Sequence, residues 1–126
     1  MTKEETIEFA KLLVQQIRDS AIKSCDVQLY TDNLKSPTAN RWRKAENDGN
    51  KKRFGEMIIS DSVDSTIFFF LQAIDDGLLH ISFNTSNGKT IEVAGDIIGE
   101  LSGWYMGEWI SKYTNERFID DFPDIG

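Results

Sequence analysis

Ile7, Ala10, Leu13, Val14, Ile17, Ala21 and Cys25 recur at three- and four-residue spacing, a period that confines the start of the chain to a helix with one apolar face. Thr2 followed by Glu5 has the spacing of a capping box at its N-terminus. Val27 and Leu29 extend the pattern to about Tyr30, where Thr31, Asp32 and Asn33 interrupt it. Ser36 followed by Pro37 is a helix start with proline at the first helical position, and Ala39, Trp42 and Ala45 supply an inner face for a short second helix. Asn47, Asp48, Gly49 and Asn50 stop that helix.

Met57 to Ile59 is read as extended, and Asp61 as the cap of a third helix with Asp64 in its first turn. Ile67 to Leu71, with Ile74, is apolar on most sides, so this helix is expected to be central and buried until Gly77 ends it. Only then does the period change to two. Leu79, Ile81 and Phe83 alternate with His80, Ser82 and Asn84, and Ile91 and Val93 oppose Thr90 and Glu92, with Asn87 and Gly88 supplying the turn. A lone hairpin is marginal in water, so its apolar face is expected to lie on helices. A last helix is expected from Asp96, its cap, to Tyr113, with a further turn around Glu116 to Asp121. The sum is an α+β fold, a single mostly helical domain over residues 1–126 with one antiparallel β-hairpin packed on about four helices.

A length of 126 residues with eight Phe, three Trp and three Tyr is enough to build a core without disulfides or a structural metal. The lone Cys25 suits a reducing compartment, and the opening MTKEETIEF lacks the basic start and apolar run of a signal peptide, so a cytoplasmic protein is expected. No uninterrupted apolar window approaches the roughly 20 residues that cross a bilayer, so no membrane segment is expected. The net charge of −7 is uneven. Residues 31–53 hold seven basic and three acidic side chains, whereas residues 54–126 hold thirteen acidic and three basic. Such an acidic body disfavours nucleic acid and anionic membranes and speeds encounter with a basic partner. Lys35, Arg41, Arg43, Lys44, Lys51, Lys52 and Arg53 around Trp42 are the one nucleic-acid-like feature, and an internal role against the acidic half is the expected one.

The last helix carries the most unusual pattern. Gly95, Gly99, Gly103 and Gly107 fall on one stripe, at a cost of about 1 kcal/mol each relative to alanine, which calls for a gain in packing or function. Close packing on the first or third helix is the leading expectation; a ligand groove along Gly99, Gly103 and Trp104 is the alternative. Trp104, Tyr105, Met106 and Trp109 are too bulky to share one narrow face, so some are expected at the surface beside Glu108 as interaction anchors. Asp120 and Asp121, interleaved with Phe118, Ile119 and Phe122, extend that acidic and aromatic character.

Catalytic equipment is sparse. His80 lies on the polar side of its strand, Cys25 lies on an apolar stripe, no phosphate-binding glycine motif occurs, and no ligand set for a metal or cofactor is present. Asp75 and Asp76 are adjacent, so on a helix they diverge rather than converge on a cation. The sequence therefore speaks against an enzyme and for a protein-binding module. Trp104, Tyr105, Glu108, Trp109, Asp120 and Asp121 are its candidate contact residues for a basic protein partner. Size and acidity are inhibitor- or immunity-like at the level of composition alone. The rival reading is a small-molecule binder or minor enzyme using a groove along the helix over 96–113.

Overall fold

The computed structural model describes residues 2–93 and 101–115. Helix α1 begins at Lys3–Lys11, widens into a π-helical stretch at Leu12–Arg18 and resumes as Asp19–Tyr30. The widening is seen at the Asp19 amide, which donates to the Val14 carbonyl five residues back. The chain turns extended at Thr31, as the sequence predicts. Helix α2, Pro37–Asn47, is capped by Ser36, whose Oγ accepts from the Ala39 amide at 3.0 Å. Its inner face is the expected one: Ala39, Trp42 and Ala45 are all buried.

Helix α3, Lys51–Asp75, corrects the sequence reading at its start. Asn50 is its cap, accepting from the Arg53 amide at 3.1 Å, and Met57 to Ile59 are helical rather than extended. Asp61 and Asp64 therefore sit in mid-helix, where each accepts a hydrogen bond from another helix. At 25 residues α3 is long and apolar enough to cross a membrane by length and composition, which the count of uninterrupted apolar windows did not anticipate. In this fold it is central, since every other described helix packs on it, but it is not enclosed. Ala73, Ile74 and Asp75 are buried, while Ile59 and Val63 are 58% and 52% exposed.

After the turn at Gly77, the Leu78 and Leu79 amides both donate to the Ala73 carbonyl and tie the next segment to the end of α3. Strands β1, Ser82–Asn84, and β2, Thr90–Glu92, pair antiparallel with Phe83 opposite Ile91. Gly88 takes φ +85° in their turn, whereas Asn87 keeps a negative φ. Phe83 and Ile91 are 54% and 41% exposed, so no described helix covers this pair as expected. The architecture is α+β, mostly helical with one two-stranded antiparallel hairpin.

Helix α4 is described from Leu101: Leu101–Trp104, a π-helical turn at Tyr105–Trp109, and Ile110–Tyr113. Its end matches the expected one at Tyr113; its start, with the Asp96 cap, lies outside the described residues, as does the turn expected at 116–121. The buried Asp75 carboxylate fastens α4 to α3, accepting from the Leu101 and Ser102 amides at 3.0 Å each and from Ser102 Oγ at 2.8 Å. Asp75 thus serves the fold rather than a cation.

The glycine stripe does not pack as expected. A Cβ placed on Gly103 or Gly107 would meet nothing within 4 Å, so neither position admits a neighbouring backbone; Gly95 and Gly99 lie outside the described residues. Gly55, inside α3, is equally open. With no clash to offset, Gly55→Ala and Gly103→Ala are each expected to raise the free energy of unfolding by about 0.5–1 kcal/mol through helix propensity. Urea midpoints check this, and a fall at either position would show a close approach that the structure lacks.

Candidate functional site

Of the basic run, Arg41, Trp42 and Arg43 are engaged within the fold. Arg41 Nη2 and Trp42 Nε1 both donate to Asp61 Oδ2, at 2.6 and 2.5 Å. Arg43 donates to the carbonyls of Thr31, Asp32 and Leu34, securing the link between α1 and α2. Trp42 is 2% exposed and unable to stack on a base. The expected internal role against the acidic half is thus realised at Asp61.

Between α3 and α4 the aromatic residues of α4 form a groove. Tyr105, Trp109 and Tyr113 recur every four residues along α4, with Ile110 beside them, and face Ile59 and Val63, one turn apart on α3. The space between measures about 720 Å³ and opens to solvent along its length. Among the described lining residues its one carboxylate is Asp64, whose Oδ1 accepts from Tyr105 Oη at 2.8 Å and so links the two walls. Burial raises the Asp64 pKa above the ordinary 3.8; the Tyr105 hydrogen bond opposes that rise, and the charge of Asp61 adds to it. Burial, the bond to Asp64 and the charge of Asp64 push the Tyr105 phenol well above its usual value, so it remains a donor. Asp64 also borders a smaller cavity of about 210 Å³ that reaches Cys25, Trp42 and Met106.

Of the residues singled out from the sequence, Tyr105 and Trp109 line the groove. Trp104 packs against Trp109, with ring centroids 6.0 Å apart, and supports the wall rather than forming it. Glu108 is exposed and lies 3.5 Å from Lys112, outside the groove lining. Of the alternative ligand groove along Gly99, Gly103 and Trp104, Gly103 faces open space, and neither it nor Trp104 lines the cavity beside Tyr105 and Trp109. Gly99, Asp120 and Asp121 lie outside the described residues.

Sequence reasoning missed Ile59, Val63, Asp64, Ile110 and Tyr113 as groove residues. Tyr113 follows Trp109 by four, a spacing that was available; Ile59 and Val63 share a stripe only once α3 is known to start at Lys51. His80 is exposed and 3.8 Å from Glu92, whereas Cys25 Sγ lies 3.8 Å from Ser62 Oγ, so the two have different surroundings. Among the described residues no group of three or more His, Cys, Asp or Glu is placed to hold a metal ion. Comparison with protein-family models, with curated proteins and with solved structures gives no match for this chain.

Proposed function

We propose that this chain is a protein-binding module whose groove between α3 and α4 receives the apolar face of a basic, amphipathic helix. The observation that carries the reading is the groove itself: an open aromatic and aliphatic trough formed by two helices, on a chain whose residues 54–126 carry ten more acidic than basic side chains. A trough of this kind accepts anchors spaced i, i+3, i+4 and i+7, and the surrounding negative field draws in a cationic partner. The lone thiol of Cys25 supports a reducing, cytoplasmic setting for it.

An 18-residue helix of leucine and lysine, apolar on one face, is a sufficient probe. Trp109→Ala is expected to weaken its binding about 30-fold, the effect of truncating a central anchor worth about 2 kcal/mol. Glu108→Ala, outside the groove, is expected to change binding by less than about threefold, as rim charges do. Titration calorimetry on folded variants measures both. Equal affinities for wild type and Trp109→Ala would remove the groove from the binding surface.

A further inference from the structure

We propose that the groove takes one cationic side chain of its partner, a lysine ammonium or an arginine guanidinium, seated on Asp64 between the rings of Tyr105 and Trp109. This rests on the helix-in-groove reading above, in which the partner helix brings the cation.

Asp61 shows what a half-buried carboxylate of α3 takes in this fold. One turn before Asp64 on the same helix, it is met by the Arg41 guanidinium and the Trp42 indole. Asp64 is met by the Tyr105 hydroxyl alone, through Oδ1, and among the described residues no lysine or arginine pairs with it. A carboxylate taken partly out of water without a counter-charge is costly, and a cation arriving from outside removes that cost. The walls suit the same visitor. Tyr105 and Trp109 line the same groove as Asp64, and electron-rich aromatic rings attract ammonium and guanidinium groups more strongly as water is excluded. A lysine or arginine also brings an aliphatic stem, which Ile59 and Val63 would cover.

Hexylammonium and hexanol share an apolar chain and differ in charge, so they separate the cation site from the groove. Their binding is followed by the indole resonance of Trp109 at constant pH and salt. Hexylammonium is expected to bind wild type about tenfold more tightly than hexanol, within the range of a partly desolvated charge pair. Asp64→Asn keeps an acceptor for Tyr105 and is expected to bring the two ligands within about twofold. A second version of the leucine and lysine helix, with one leucine of its apolar face replaced by lysine, is expected to bind wild type about tenfold more tightly than the version with norleucine at that position, and Asp64→Asn equally. Equal binding of hexylammonium and hexanol to wild type overturns the proposal and needs no variant to fold, as does a preference that survives in Asp64→Asn. If hexylammonium shows its preference while the helix fails to bind, the cation site stands and the helix-in-groove reading falls.

Discussion

Asp75→Ala is expected to lower the free energy of unfolding by about 3 kcal/mol, because it strands two buried amides, each costing roughly 1–3 kcal/mol when left without an acceptor. The Leu101 and Ser102 amides both bond to this carboxylate, and Leu101, Ser102 and Asp75 itself are buried, so water has little access to replace it. Ser102 Oγ is less affected, since Gln72 Oε1 lies 3.2 Å away as a second acceptor. Asp75→Asn keeps one acceptor oxygen and is expected to lose about half as much. Urea unfolding followed by circular dichroism measures both. A loss below about 0.5 kcal/mol in Asp75→Ala would mean that the amides find other partners and that α4 is held to α3 by side-chain packing alone.

Trp42→Ala is expected to cost about 3–5 kcal/mol, the range for removing a buried aromatic, and against a typical total of about 5–15 kcal/mol this leaves a barely folded protein. Among the described residues Trp42 is the largest buried side chain, the rest of the buried apolar core being four alanines and three aliphatics, so its loss removes a large share of the core's volume. Its Nε1 also supplies one of the two charge-assisted bonds that hold Asp61. Trp42→Phe keeps most of the volume and isolates that bond, with an expected loss of about 1.5–3 kcal/mol. If Trp42→Phe proved as damaging as Trp42→Ala in the same urea assay, the indole bond to Asp61 rather than the ring's bulk would carry the stability.

The first two helices were legible because their signals are local. Ser36 and Pro37 specify a start by cap and φ, and the Ile17, Ala21 period marks a face whatever lies across from it. Helix α3 was not legible at its start. Asn50 reads as the end of α2 when it is the cap of α3, and Asp61 and Asp64 resemble an N-terminus because carboxylates are poor mid-helix residues when unsupported. Their support comes from Arg41, Trp42 and Tyr105, 19 to 41 residues away in sequence, which no local pattern encodes. For the same reason the aromatic density of α4 pointed to Tyr105 and Trp109 but not to the α3 wall opposite. The glycine spacing was visible, and the open space in front of Gly103 was not.

The π-helical turn at Tyr105–Trp109 sets a phase. In a regular α-helix of 3.6 residues per turn, residues four apart drift steadily around the axis, so a row at i, i+4 and i+8 winds off its face. In α4 the Ile110 amide reaches back five residues to the Tyr105 carbonyl, and this wider turn falls short where an ordinary one overshoots. The drift is thereby checked, and Tyr105, Trp109 and Tyr113 stay in one row against α3. Such a turn is an α-helix with one residue too many, absorbed within the turn: its five residues sweep about the angle that four sweep at ordinary pitch, so Ile110 and Tyr113 keep the face they would hold without the extra residue. The straightness of the aromatic row is therefore a property of chain length at one turn, independent of which side chains occupy it.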